Sequence, residues 1–382
     1  MTARLLCLAA GTFVISTGAY VMAGLLPAIR AELGVSVEAV GRLSFTYSFT
    51  YAVWAPLCGV LTRRWDRRRT LLLGMALFVA GTAGTAAAGT YSGMLAARVV
   101  AGAGAGMFTP AASAAAVAVV PRAWQARAVA WIIGGLAAAT VLAVPMGSLI
   151  GQWTGFRPVL GGTAVLGVVT GAALWSLPRL QPPPRTVSHD ATPIRNGPVA
   201  VLLVVSCLVS VADFAVYTYI SPLLTHMTAQ DSTVVGGLLF IYGCAGVLGN
   251  AAGGQLADRW GTRRTVSLSL ALIALSTAAM PWARHLPVVC VLIVLWGMSG
   301  WMVVPALQSE LMRLRPEAPG VLAAANASAI YAGMALGSLL GGWVISSASL
   351  VLLGPFAGGV ACAALAIYVR TQRLPKPEHR WE

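Results

Sequence analysis

Only two ionisable side chains stand well inside the long apolar runs of this chain, Arg98 and Asp213. On insertion scales a charged group at mid-membrane costs roughly 2.5–3.5 kcal/mol, so each calls for a partner or a task. Arg98 comes five residues into a span that enters from outside, and Asp213 nine residues before an outer end at 222. At the helical rise these positions are roughly 8 Å and 13 Å deep, so the two are expected to share the outer half of a central cavity. Asp213 shares a helix face with Tyr217 and Ile220. Apolar surroundings disfavour a charged carboxylate, which makes Asp213 a candidate to load and release a proton. Two plainer readings stand beside it, a structural ion pair with Arg98 and a partly solvated acid at a cavity mouth. Arg98 lies at i, i+4, i+8 with Gly102 and Gly106, on a face made for close approach. It either tunes a nearby acid or contacts substrate, or is bonded to backbone carbonyls.

The remaining chemistry is sparse. Six cysteines lie in apolar segments with no CxxC pair, and four histidines are scattered. Neither a metal site nor a disulfide framework is implied, and no cofactor is expected beyond a proton gradient as energy source. A membrane-embedded enzyme would need clustered acids, histidines or cysteines at one interface, and none is visible. Aromatic and amide groups are the other candidates for a substrate cavity. Tyr47, Tyr51 and Trp54 recur at i, i+4, i+7, Trp296 and Trp301 straddle Gly297 and Gly300, and Asn250, Gln308, Asn326 and Tyr331 stand in apolar runs. Aromatic faces could stack on a flat lipophilic substrate; packing and interhelical hydrogen bonding are the alternatives. Glu310 stands three residues from Arg313, near the inner surface, as a surface ion pair would.

The elements that position these groups follow from composition. Of 382 residues 58% are hydrophobic and 9% charged, where a soluble domain carries about 25% charged residues. In lipid, long apolar runs must become helices. Twelve runs are long enough: 4–29, 43–62, 70–90, 93–118, 128–151 and 158–178, then 199–222, 234–257, 265–285, 288–311, 320–346 and 349–370. The expected fold is an all-α membrane protein with twelve transmembrane helices in two pseudo-symmetric six-helix bundles. The bundles cover residues 1–178 and 199–370, with a proline-rich cytoplasmic linker at 179–198 and a cytoplasmic tail at 371–382.

Orientation follows from Arg and Lys. With both termini inside, 20 of the 25 basic residues fall on the inner side and four on the outer, Arg30, Arg42, Arg157 and Arg284. That is a positive-inside pattern for a multi-pass protein of a bacterial cell membrane. It accounts for the net charge of +14 without a nucleic-acid partner. The expected partners are the bilayer and a small-molecule substrate, with the protein acting as a monomer.

The chain also repeats itself at an offset of 195 residues: Pro27 with Pro222, Gly59 with Gly254, Trp65 with Trp260, Arg68–Arg69–Thr70 with Arg263–Arg264–Thr265, Pro110 with Pro305 and Pro121 with Pro316. One register without a gap implies duplication of a six-span unit, and parallel repeats of this kind build transporter halves. Small residues at fourfold spacing mark two further spans, Gly135, Ala139, Ala143, Gly147 and Gly151 in one and Gly333, Gly337 and Gly341 in the other. Beside Pro145, which permits a bend, the first stripe reads as close packing and as a sliding surface between the halves.

Particular motifs carry a resemblance. GQLADRWGTRR at 254–264 closely matches the loop signature of the major facilitator superfamily, and GVLTRRWDRR at 59–68 is its first-half copy. LAARVVAGAGAG at 95–106 resembles the family's second motif, AVPMGSLIGQWTGFRP at 143–158 the motif of its antiporter branch, and GLLPAIRAELGVS at 24–36 its sugar-efflux and chloramphenicol-resistance members. The chain departs from the pattern at Arg63, where the loop aspartate is expected, at Asp66, where a glycine is, and at Ala19, where relatives often carry a glutamate. The resemblance implies a gating loop made by Gly254, Asp258, Arg259, Gly261, Arg263 and Arg264, with Gly59 and Arg64 in the first half; plain topological anchoring is the alternative. It also implies an antiporter motif at Pro145, Gly147 and Gly151. The implied activity is proton-driven export of a small lipophilic, drug-like molecule, with sugar or nucleoside efflux as the alternative.

Overall fold

The computed structural model describes residues 2–62, 64–121, 124–178, 197–228, 232–315 and 318–371. Arg63, Arg122, nearly all of the linker and all but Thr371 of the tail lie outside the described residues. The described chain is helical, with no strand. Twelve rods follow in order: α1 Thr2–Leu33, α2 Val37–Leu61, α3 Arg67–Ala87, α4 Tyr91–Ala118, α5 from Gln125 to Thr154 with a π-helical stretch Ala139–Ala143, and α6 Phe156–Trp175. The second set is α7 in two pieces, Gly197–Tyr217 and Ile220–Thr228, then α8 Ser232–Trp260, α9 Thr262–Ala279, α10 Leu286–Leu314, α11 Pro319–Ser347 and α12 Leu353–Thr371. Eleven rods are long and apolar enough to cross a bilayer. The twelfth is α2, whose apolar character is diluted by Arg42, Ser44, Thr46, Ser48 and Thr50.

Local chemistry sets the boundaries. Ser36, Asp66 and Thr90 cap α2, α3 and α4 by accepting hydrogen bonds from the backbone N–H of Ala39, Arg68 and Gly93, which satisfies donors a helix start leaves open. Gly261 turns the chain between α8 and α9 at φ 87°, a backbone conformation that side chains disfavour. Gly197 and Pro198, placed in the linker by the sequence, open α7 instead; a proline in a first turn gives up an N–H that has no partner there anyway. Likewise α7 does not end at Pro222. It breaks at Thr218–Tyr219 and restarts at Ile220, so Pro222 again falls in a first turn. The break is held from α11, where the Thr218 and Ser338 hydroxyls lie 2.8 Å apart and the Tyr219 hydroxyl donates to the Ser338 carbonyl at 2.6 Å.

The two sets pack alike. In the first, α3 lies on α4, α2 on α4, α3 on α6, and α1 on α5 and α6; in the second, α9 lies on α10, α8 on α10, α9 on α12, and α7 on α11 and α12. These are the same five pairings six helices later, as the 195-residue repeat requires. Between the sets, α2 lies along α11, α5 along α8, and the outer piece of α7 leans on α1. Tyr219, Val344 and Leu353 share a buried cluster with Met22, Leu26, Ile29, Val40 and Leu43, all in the outer half. Near mid-height Tyr51 of α2 stacks on Tyr331 of α11, ring centroids 3.4 Å apart at 12°. The outer half of the seam is therefore packed shut.

The fourfold stripe of α5 does not belong to that seam. A methyl group placed on Gly135 would strike Ala9, and on Gly147 and Gly151 it would strike Val21 and Leu25, all on α1 of the same bundle. Small residues that let the bundles meet are on α8, and also on α2 and α11, where Gly41 makes room for Tyr219 and Gly342 packs against Glu38. A methyl group on Gly243 would lie 2.7 Å from the Thr140 carbonyl oxygen of α5, and one on Gly236 would lie 3.2 Å from Leu149. The expectation of a sliding surface on the stripe is corrected accordingly. A 3.6-residue helix carries more than one face, and small-residue spacing does not say which neighbour each face meets.

Candidate functional site

Asp213 stands near the middle of α7, because that helix runs on to Thr228. Its Oδ2 accepts a hydrogen bond from the Tyr242 hydroxyl of α8 at 3.4 Å. Its Oδ1 is enclosed without a hydrogen-bond partner, while the residue as a whole keeps partial exposure. The Trp296 indole N–H is turned toward the same carboxylate but stays outside hydrogen-bonding geometry. A methyl group on Gly300 would lie 3.1 Å from Oδ1, so the glycine is what lets that oxygen pack closely against α10.

Aromatic rings surround the acid from both bundles. Tyr20 of α1 packs against Phe214, Tyr217 and Trp301, with centroids 5.8, 5.7 and 6.4 Å away. Tyr217 meets Tyr242 at 5.4 Å, and Tyr242 meets Trp296 at 4.5 Å. These separations are those of favourable edge and tilted ring pairs. The result is a carboxylate with one free oxygen, set among π-faces where the two bundles meet.

The structure thus joins Asp213, Tyr217 and Trp301, but not Arg98. The Arg98 guanidinium donates to the Gly18 carbonyl of α1 at 3.0 Å and the Leu43 carbonyl of α2 at 3.3 Å, and lies 4.3 Å from the centre of the Tyr47 ring. Among the described residues Arg98 forms no ion pair; the ion pair present joins Glu32 and Arg157 at the outer surface. The expectation of a shared outer cavity is corrected by the longer α7, which moves Asp213 to mid-height while Arg98 stays near the outer end of α4. Tyr47 is fully enclosed beneath Arg98, with its hydroxyl on the Ile15 carbonyl at 3.2 Å, so it packs the first bundle and does not line a cavity.

Below the acid, Tyr51 is covered by Tyr331, itself half-buried, and Trp54 is half-buried with an unpartnered indole N–H. The Asn326 amide donates to the Gln308 side-chain oxygen at 2.7 Å, tying α11 to α10 and leaving its own oxygen unpartnered. Asn250 is half-buried on α8. Pro145 stands two residues past the end of the π-helical stretch Ala139–Ala143 of α5, which fits the missing N–H of proline.

The loop residues are on the surface. Arg64, Asp258, Arg259, Arg263 and Arg264 are exposed, and Gly254 has open space around it. Gly59 borders a cleft of about 160 Å³ with Arg67, Thr70 and Pro110. Asp258 falls in the last turn of α8, where its own helix presents the negative end of the dipole; a partner of positive sign must come from another helix. Glu310 accepts a hydrogen bond from Tyr368 of α12 at 2.6 Å. Tyr20, Phe214 and Tyr242 were not singled out from the sequence. A signal was present for the tyrosines, since Tyr gathers at membrane interfaces and these two stand at mid-span.

Twelve helices in two like bundles, meeting around a mid-membrane acid, define a secondary transporter. The comparisons place it further: the major facilitator superfamily model matches residues 8–338 and 231–382, and the chain belongs to that superfamily, a family of transporters and not of enzymes. It is 34% identical over 377 residues to the inner membrane transport protein YdhP of Escherichia coli K12, covering 97% of each chain. It is 28% identical over 379 residues to the MFS-type transporter YbcL of Bacillus subtilis, covering 98% of this chain and 97% of the other. Among solved structures it resembles a bacterial homologue of the human lysosomal transporter Spinster, in an inward-facing and unoccupied conformation, with TM-score 0.79, 14% identity and 97% of each chain covered. It also resembles the human organic anion transporter MFSD10, with TM-score 0.70, 17% identity and 96% and 98% covered. The protein is a multi-pass inner-membrane transporter of a small molecule.

Proposed function

We propose that this protein exports a small lipophilic molecule, neutral or weakly cationic, in exchange for protons, working as a monomer by alternating access, with Asp213 as the coupling group. The observation that carries the reading is the Asp213 carboxylate: largely enclosed, one oxygen without a hydrogen-bond partner, no cation paired with it among the described residues, and surrounded by rings from both bundles. Such an acid is neutral when it holds a proton and offers a charge to a bound cation when it does not. The rings supply an apolar surface that favours flat or greasy molecules over sugars. The sealed outer half corresponds to the inward-facing member of the cycle, in which substrate enters from the cytoplasm. The half-buried amides Asn250 and Gln308, with Asn326, favour the second reading, efflux of a sugar or nucleoside, because they offer hydrogen bonds the rings lack.

Inverted vesicles with an imposed proton gradient test both readings. Wild-type vesicles should accumulate a lipophilic cation such as ethidium, and Asp213→Asn vesicles should fail to do so while the protein still inserts and elutes as a single folded species. Full gradient-driven uptake by that variant removes Asp213 from coupling. Uptake of sugars alone favours the second reading.

A further inference from the structure

A groove opens on the membrane side of the first bundle, between α3 and α6, with a volume of about 1160 Å³. That is somewhat above the roughly 300–1,000 Å³ typical of small-molecule sites, and none of the residues around Asp213 lines it. Its walls are Leu72, Leu73, Met75, Ala76, Val79 and Ala80 on α3, with Gly167, Val168, Gly171 and Ala172 on α6. Its head carries Arg68, Arg69, Asp66 and Trp175.

Three features say what fills it. First, the floor is apolar and long. From residue 66 to residue 80 a helix rises roughly 21 Å, more than the depth of one leaflet of a hydrocarbon core about 30 Å thick. Gly171 keeps the trough open toward its head, since a methyl group there would meet only the Met75 side chain, at 3.5 Å; deeper in, at Gly167, the Val79 side chain fills the space a methyl group would take. Second, the head is cationic and lies on the inner, arginine-rich side. The Arg68 guanidinium sits 5.1 Å from the centre of the Trp175 ring and Arg69 is exposed; neither forms an ion pair among the described residues. Asp66 is the one acid at the rim, and an oxygen of its carboxylate is turned to the Arg68 backbone N–H at 3.0 Å, where it caps α3. The N-terminus of α3 adds its own positive end. Third, Trp175 is exposed at the inner end of α6, at the level where Trp marks the headgroup zone.

We propose that this groove is a binding site for an anionic phospholipid of the inner leaflet. The acyl chains lie along the Ala76–Ala80 and Gly171–Ala172 walls, and the phosphate is held by Arg68, Arg69 and the start of α3. A basic pocket between helices on the cytoplasmic side suits such headgroups, and the planar guanidinium of Arg68, braced on Trp175, presents its edge to phosphate oxygens.

The test is native mass spectrometry of the full-length protein released from nanodiscs made of equal parts phosphatidylglycerol and phosphatidylethanolamine. Wild type should retain one lipid, with phosphatidylglycerol favoured about tenfold. The pair Arg68→Gln with Arg69→Gln keeps the groove and should lose that preference. Ala172→Trp keeps the charges and fills the trough, and should lower retention of either lipid several-fold. Glycerol phosphate at millimolar concentration, which has a phosphate and no chains, should not displace the bound lipid. Equal retention of both lipids by wild type, an unchanged preference in the double variant, or displacement by glycerol phosphate each overturns the proposal. The Asp213 experiment reads transport and this one reads bound lipid, so either can fail alone.

Discussion

Gly243 decides whether the outer half of the seam can close. Its added methyl carbon would stand 2.7 Å from the Thr140 carbonyl oxygen and from the Val141 Cα of α5, both backbone atoms that cannot rotate away. Ordinary contact needs about 3.5–4.0 Å, so alanine already forces α8 and α5 apart by about 1 Å, and leucine by more. Overpacking of this kind costs about 1–3 kcal/mol. The cost falls only on the state in which the outer seam is shut, because the two helices separate when it opens. A penalty of that size shifts the balance toward the outward-open state about 5–150-fold. In a cysteine-depleted background carrying Leu149→Cys beside the seam, a membrane-impermeant maleimide added outside should label Gly243→Leu at least about fivefold faster than the parent. Gly237→Leu is the control: it lies on the same helix with nothing within 4 Å of its added carbon. Unchanged labelling in Gly243→Leu, or an equal rise in the control, would refute the assignment of this contact to the moving seam.

Two further outcomes follow from the bonds described. Arg98→Gln loses the fork that ties α4 to the Gly18 and Leu43 carbonyls and the stacking on Tyr47, and should lower stability in detergent by about 3–6 kcal/mol, at about 1.5–3 kcal/mol for each of the two bonds from a charged donor; Arg98→Lys should recover little of it, because an ammonium cannot reach both carbonyls in one plane. Thermal unfolding of the purified variants reads this, and a melting temperature equal to wild type would show that the guanidinium is not a staple. Thr218→Val and Ser338→Ala each break the hydroxyl contact at the α7 interruption and should be coupled by about 0.6 kcal/mol in a double-mutant cycle, the usual worth of such bonds within membranes; additive effects would mean the break is held by the Tyr219 hydroxyl alone.

How much the sequence disclosed depends on what kind of force sets each feature. The helices and their two-fold repetition were legible because the bilayer punishes unpaired backbone wherever it occurs, so hydropathy finds eleven of them; the 195-residue register of Pro27 with Pro222 and Trp65 with Trp260 then doubles the unit and sets the more polar α2 opposite α8. Helix ends were less legible. Pro198 and Pro222 read as stops, yet both sit in first turns where a missing N–H is harmless, and only the break at Thr218–Tyr219 reveals that α7 restarts. That single misplacement carried Asp213 to the wrong depth and paired it with Arg98. Which neighbour a face meets was not legible at all: the stripe through Gly147 and the residues Gly236 and Gly243 have the same composition, and only one of them crosses between bundles. The aromatic enclosure of Asp213 is assembled from α1, α7, α8 and α10, with no two contributors from different helices closer than about twenty-five residues in the chain. A helix period fixes what is near along one rod. The site is made where four rods meet, and the acid is recognisable as its centre because its unpartnered Oδ1 is held against Gly300 among rings from all four.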